Sequence, residues 1–263
     1  MSKLEDVSNY WNSGADGYDK VIHTQFRSRT EVSFWEKRLT EGLGDAPSQQ
    51  VLDVGTGPGF FSILLSRLGH RPEAVDASPG MVERAGKNVR EFGFPDVPVS
   101  LADASDLRIF QNNRFDAIVC RDVVWTLPDP VRAYAEWHRV LKPGGRLIVF
   151  DGNYLYEENR SFANRIRYGF SWLLILLTER RMRKKESRKL GVLDDLPFVQ
   201  VPRPEEDERV LKEVGFEKLE VRRDHMSAKE LPMHHLKYGF MNGARFMIVA
   251  EKPFSGMQKA DNE

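Results

Sequence analysis

The chain has 263 residues, 41% of them hydrophobic, enough for one large domain or one domain with an insertion. Lysine plus arginine and aspartate plus glutamate both number 39, so no global charge marks the chain for nucleic acid or a membrane surface. Cys120 is the only cysteine, which excludes an internal disulfide; with a first stretch, Met1 to Asp6, that lacks an apolar signal region, this makes a cytoplasmic location the expectation.

Residues Leu4 to Lys20 predict a helical entry followed by a turn at Ser13-Gly14. A second helix is expected from about Ser28 to Leu43, with Phe34, Trp35 and Leu39 on one face. Residues 1–45 therefore read as a helical cap, which serves equally as a packed cover and as a wall over a ligand. Next, Val51, Leu52 and Val54 form an apolar strand around Asp53 and run into Gly55, Gly57 and Gly59. A helical pattern begins at Phe60 and continues through Ile63, Leu64 and Leu68. Strand, glycine turn and helix in this order make a cradle for a nucleotide-like ligand. The spacing is G-x-G-x-G; Phe60 stands where a dinucleotide fingerprint has its last glycine, and no Lys-Ser/Thr pair of a P-loop follows.

A second strand, Glu73 to Asp76, ends on an acid about 20 residues beyond the glycines, where a ribose-binding carboxylate belongs. Pro79-Gly80 then turn the chain, and Met81 opens the next helix. A third strand is expected around Val97 to Leu101, leading to Asp103 and Ala104, with Asp106 as a turn residue. The fourth, Phe115 to Cys120, opens into Arg121-Asp122. A helix from Val131 to Leu141, a tight turn at Lys142-Pro-Gly-Gly145 and a fifth strand, Arg146 to Phe150, lead to Asp151. Ligands of such sheets sit beyond the carboxyl ends of the strands, so Arg121, Asp122 and Asp151 point toward a site.

Residues 154–204 break this alternation and read as a helical insertion forming part of an acceptor pocket. Between Arg160 and Lys189 lie ten basic residues against two acids, around an apolar run from Trp172 to Leu177 that is too short to span a bilayer. A lid, an interfacial helix on anionic lipid, and a packed insertion neutralised by the six acids between Asp194 and Glu208 are the competing readings, with packing and lid preferred. A helix from Glu208 to Val214, closed by Gly215, precedes strands at Phe216 to Arg222 and Ala244 to Ala250. No crossover helix separates these strands, so the last is expected antiparallel. Residues 253–263 read as a tail.

The run Asp53-x-Gly55-x-Gly57-x-Gly59, followed in order by Asp76, Asp103 and Lys142-Pro-Gly-Gly145, resembles the class I S-adenosylmethionine-dependent methyltransferases of the small-molecule type. Tyr10-Trp11 and Gly17-Tyr18-Asp19 resemble the amino-terminal segment of many of them. The resemblance covers about residues 5–155 by motif, and residues 205–252 by pattern alone. It implies an α/β fold, a Rossmann-like, mostly parallel seven-stranded sheet with helices on both faces and an antiparallel last strand. Residues 46–153 and 205–252 would form the S-adenosylmethionine-binding domain. It further implies cofactor-binding roles for Tyr18, Asp53, Gly55, Thr56, Gly57, Gly59, Asp76, Ala77, Met81, Asp103, Ala104 and Arg121, with S-adenosylhomocysteine as product. Arg121-Asp122-Val123-Val124 replaces the Asn/Asp-Pro-Pro-aromatic signature of base-methylating relatives, which counts against nucleic acid.

Methyl transfer from a sulfonium needs alignment more than it needs a strong catalytic signature. Asp151 and His23 are the candidate bases, with Asp122 beside them. His138 is expected to be exposed, and His225, His234 and His235 to lie near the carboxyl-terminal edge without metal-ligand spacing. The expected reaction is transfer to a small molecule. A quinone- or lipid-like acceptor at a membrane surface, through 160–189, is the alternative within enzymes. A binding protein without turnover is the alternative outside them.

Overall fold

The computed structural model describes residues 2–153, 170–171, 173–177, 190–223, 226, 229–233, 236 and 245–254. His225, His234, His235, most of the basic run 160–189 and the tail beyond 254 lie outside the described residues.

Seven strands form one sheet: β1 (Gln50–Val54), β2 (Arg71–Asp76), β3 (Val99–Leu101), β4 (Phe115–Arg121), β5 (Leu141–Gly152), β6 (Glu217–Arg223) and β7 (Arg245–Glu251). Their spatial order is β3-β2-β1-β4-β5-β7-β6. β1 to β5 pair in parallel, and β7 is antiparallel to both β5 and β6. The chain winds outward from β1 in one direction and then restarts at β4 in the other. A crevice opens where the order reverses.

Period-two alternation assigns the faces. Val51, Ala117, Val119 and Ile148 face α2 (Arg29–Leu43) and α3 (Phe60–Arg67), where Phe34, Trp35, Leu39 and Leu64 complete the core. Leu52, Ile118, Cys120 and Val149 face α5 (Pro130–Val140) and α6 (Glu205–Val214), against Tyr134, Trp137, Val210 and Leu211. His138, expected on the surface, is half-buried with its ring edge-on to Phe216.

Two local expectations are corrected. α1 runs unbroken from Lys3 to Arg27, without a turn at Ser13-Gly14. Glycine in a helix costs about 1 kcal/mol, but tertiary contacts outweigh it. Ser8 Oγ donates to the Ala77 carbonyl, and Asn12 Oδ1 accepts from Gly80 N–H. Further along, Asp16 pairs with Arg84, and Asn88 Nδ2 donates to Asp19 Oδ1. The α1 partners recur at roughly helical spacing and strap it along α4 (Pro79–Glu91) and the loop before it. The second correction concerns Lys142 to Gly145. They do not form a free tight turn but an irregular start to β5, where the register against β4 shifts. Gly144 N–H donates to the Lys252 carbonyl, and Lys252 N–H donates to that of Gly145.

The second half of the sheet is tied together by a buried ionic cluster. Arg203 donates Nε to Asp207 Oδ2 and Nη2 to Asp207 Oδ1, both at 2.7 Å, and Nη2 lies 3.0 Å from Asp151 Oδ2. Tyr134 Oη donates to Asp207 Oδ1 at 2.6 Å. The Arg203, Asp151 and Asp207 side chains are fully buried. Asn153 clamps the Arg203 backbone through both its N–H and its carbonyl. Burial alone would weaken the guanidinium as a base, yet Asp151 and Asp207 outweigh it and hold the cation firmly charged. Burial pushes Asp151 up to about 6 against the pull of Arg203. The acids between Asp194 and Glu208, expected to offset the basic run, are largely engaged nearby: Asp207 by Arg203, Glu206 by Arg209, Glu205 by Arg223 and Glu208 by Lys212.

Removing one partner of a buried ion cluster costs more than the cluster contributes as a whole, because uncompensated charge remains. Arg203→Met should therefore lower folding stability by about 3–5 kcal/mol. Asp151→Asn should cost less, since Asp207 still holds Arg203 and one amide oxygen remains to accept, although the Trp125 and Gly152 N–H groups bond to different oxygens of Asp151 and only one of them keeps its partner. Urea unfolding of the three proteins measures both effects. A midpoint for Arg203→Met equal to the parent would show that the cluster lends no net stability.

Candidate functional site

One cavity of about 1050 Å³ lies at the carboxyl ends of β1, β2 and β4, roofed by α1. Eleven of the twelve residues expected to bind cofactor line it: Tyr18, Asp53, Gly55, Thr56, Gly57, Asp76, Ala77, Met81, Asp103, Ala104 and Arg121. Gly59 does not. It stands at the start of α3 with φ of 93°, and its missing Cβ leaves room for Ala85 of α4 at 3.4 Å. Gly57 faces the cavity, has φ of 54°, and a Cβ there would meet nothing within 4 Å. That gap is the cradle: left-handed backbone that suits glycine, with open space before it.

The loop is held from behind by carboxylates. Asp53 Oδ2 accepts from Thr56 Oγ1 at 2.7 Å and from Ser62 Oγ at 2.6 Å. Burial raises the Asp53 carboxyl above its ordinary range, against these two hydroxyls. Asp76 spans loop and helix, accepting from Gly57 N–H and Ser78 N–H, each at 2.9 Å. Burial pushes Asp76 up to about 6, opposed by those backbone donors. Ser78 in turn caps α4, accepting from Met81 N–H, which sets Met81 against the cavity. Asp103 accepts from the N–H and the hydroxyl of Ser105 in an Asx-type turn. Sheet order sets these groups in a row: Asp103 after β3, Asp76 at the end of β2, the glycines after β1, and Arg121 at the end of β4.

Neither candidate base lines the cavity. Asp151 is buried in the Arg203 cluster; its alternation turns it to the α5/α6 face, and Trp125 N–H takes the oxygen it shares with Arg203. His23 packs against Phe92, with Nε2 3.9 Å from Asp19. Asp122 does line the cavity. It has φ of 60°, unusual for an aspartate, and accepts from Arg245 Nη1 at 3.0 Å while its N–H donates to the Phe150 carbonyl.

Several wall residues were not assigned roles from sequence: Glu31, Trp125, Ile175 and Arg245. Arg245 was legible in principle. An antiparallel last strand begins at the edge where the parallel strands end, so its first residue must reach the site. Trp125 meets Trp11 of α1 edge-on at 6.4 Å, and Trp11 meets Tyr18 at 5.5 Å, forming an aromatic wall opposite the polar row. Among the described residues no group of three or more histidine, cysteine or acidic side chains could hold a metal, and no helix is long and apolar enough to cross a membrane.

Residues 52–149 match the family model of the methyltransferase domain. A ubiquinone biosynthesis O-methyltransferase of Xanthomonas oryzae pv. oryzae is 31% identical over 149 residues, covering 57% of this chain and 59% of the relative. The match thus spans less than two thirds of that relative's length. A demethylmenaquinone methyltransferase of Bacteroides fragilis is 27% identical over 84% of this chain and 88% of its own. Among solved structures, phosphoethanolamine N-methyltransferase 2 of Haemonchus contortus, in complex with S-adenosyl-L-methionine, superposes with a TM-score of 0.65 at 17% identity, over 96% of this chain and 60% of that one. The matched region spans the glycine cradle and the Asp76 and Asp103 strand ends, so residues 52–149 are similar to the methyltransferase domain, and the sheet, in this order, shares its Rossmann-like fold with the solved methyltransferases.

Proposed function

We propose that this protein transfers a methyl group from S-adenosylmethionine to a small-molecule acceptor by in-line displacement. The observation that carries the reading is Asp76: a carboxylate at a strand end, bonded to the N–H of Gly57 and facing the same cavity as that glycine's open side. A carboxylate there accepts from both vicinal hydroxyls of a ribose. Asp103 and Ala104 take the base end, Met81 packs on its face, and the glycine loop passes beneath the sulfur-bearing chain. When bound, the cofactor would supply the electrophile, a methyl group on a sulfonium. The protein's part is to align the acceptor and keep water out, for which α1 and the Trp11–Trp125 wall are placed. If the acceptor loses a proton, Asp122 is the candidate on the cavity wall, since Asp151 and His23 are turned away. Residues 1–45 and 154–204 set the acceptor pocket on this reading.

A second reading, a quinone-like acceptor, draws on the same aromatic wall and on the names of the two relatives. Phe170, Leu173, Leu176 and Leu177 are exposed and apolar, which would suit contact with a lipid-tailed acceptor or its membrane. Flotation with anionic liposomes tests this: no retention would remove stable membrane docking.

Titration calorimetry with S-adenosylmethionine and S-adenosylhomocysteine should give saturable binding of both. Asp76→Ala should weaken each by about 10–100-fold, the value of hydrogen bonds to a charged acceptor. Absence of binding by the folded parent would sink the cofactor assignment. The pH dependence has a defined sign. Asp76 accepts hydroxyl donors best when ionised, and protons compete below its value of about 6. Affinity for S-adenosylhomocysteine should thus be flat above neutral pH and fall about tenfold by pH 5, and Asp76→Asn should bind weakly with that dependence removed.

A further inference from the structure

We infer that Arg121 is the receptor for a ligand carboxylate within the cavity. Arg121 ends β4 on the face that Ala117 and Val119 share with α2 and α3. Its guanidinium carbon lies 5.1 Å from the Trp35 ring centroid, 4.7 Å from that of Phe60 and 5.0 Å from that of Phe61. It lines the cavity, and it has no hydrogen-bond or ion-pair partner among the described residues. This sets it apart from the other deeply placed arginines. Arg203 is held by Asp151 and Asp207, Arg38 by Glu41 and Glu230, and Arg139 by Glu136 and three oxygens of the 107–112 loop.

The aromatic cage stabilises a cation without using up the donor fork. Burial weakens the guanidinium as a base; Asp122, Asp53 and Glu31 oppose this and Arg245 adds to it, all acting through space. A planar guanidinium with unspent donors, facing a cavity large enough for a ligand, matches a carboxylate through two parallel charge-assisted bonds. Asp53 and Asp122 are no substitute, since one is engaged by Thr56 and Ser62 and the other by Arg245.

The carboxylate has two possible sources. In the row across the sheet, Asp103 and Asp76 lie on one side of the glycine loop and Arg121 on the other. A cofactor laid with its base by Asp103 and its ribose by Asp76 brings its amino-acid carboxylate toward β4. This source rests on the methyl-transfer reading. The other source is an acceptor that is itself a carboxylate, and it needs only the cavity.

Three probes separate these: S-adenosylhomocysteine, 5′-methylthioadenosine, which keeps the adenosine and sulfur but lacks the carboxylate, and benzoate. Each is titrated into the parent, Arg121→Met and Arg121→Lys, with benzoate added both to free protein and to protein loaded with S-adenosylhomocysteine. If the cofactor supplies the carboxylate, Arg121→Met loses about 10–100-fold for S-adenosylhomocysteine and nothing for 5′-methylthioadenosine, with Arg121→Lys intermediate. If the acceptor supplies it, S-adenosylhomocysteine binding is unchanged, and benzoate binding seen in the parent is lost in Arg121→Met. The proposal is overturned if Arg121→Met binds all three probes like the parent. It is equally overturned if both variants lose S-adenosylhomocysteine and 5′-methylthioadenosine to the same degree, which would make Arg121 a prop for the wall. A parent that binds neither nucleoside would instead sink the cofactor reading and leave the benzoate arm to decide.

Discussion

The structure depends on one topological constraint: parallel strands must all end on the same edge. β1 sits between β2 and β4, and the chain travels outward from it twice, once through β2 and β3 and once through β4 and β5. Loops leaving β1 and β4 therefore diverge, and the gap between them cannot be filled by either connection. Everything that reaches this gap does so as a strand end or as the cap laid over it. The glycines, Asp76 and Arg121 are neighbours for this reason, although 66 residues separate Gly55 from Arg121. α1 then closes the gap from above, held by a polar ladder to α4 rather than by a deep apolar interface; only Val7, Ala15 and Ile22 of its 25 residues are buried.

Two arginines show how the same side chain is used in opposite ways. Arg203 meets two carboxylates, one of which also accepts from Tyr134, so its charge is neutralised from within the chain. The cluster joins β5, α5 and α6, and through Trp125 N–H it also fixes the turn that carries the aromatic wall. Among the described residues, Arg121 has ring faces around it and an opening in front. Solvation lost by a buried cation must be replaced, and aromatic quadrupoles replace only part of it. A satisfied guanidinium contributes rigidity, whereas an unsatisfied one facing a cavity is poised for a partner from outside.

Much of the site was legible in the sequence, because its chemistry is carried by short-range patterns. The glycine spacing, the acid closing β2 and the Asp103 turn each follow a strand recognisable from apolar runs. Those signals are local, and the parallel sheet converts them into proximity. What sequence reasoning missed is non-local. A turn is expected at Ser13-Gly14, but four side-chain contacts to α4 and its preceding loop hold α1 continuous. The KPGG segment reads as a turn on composition alone. It is drawn into β5 because Lys252, more than a hundred residues later, supplies the pairing backbone.

Asp151 shows why a strand-end position is not enough to assign a catalytic role. Along β5 the side chains alternate, with Val149 on the α5/α6 face and Phe150 on the α2/α3 face, so Asp151 falls on the former. Along β4 the same count puts Cys120 on the α5/α6 face and Arg121 on the other. Parity thus separates two charged residues that end adjacent strands, and what covers each face settles the rest. Over Asp151 lies Arg203, in a segment with no recognisable motif, and the carboxylate is consumed in a salt bridge before any ligand could use it. Over Arg121 lie Trp35, Phe60 and Phe61, which accept no proton and offer no counter-charge. A strand-end charge is free to take a ligand only where its own face of the sheet supplies no partner, and among the described residues Arg121 meets that condition.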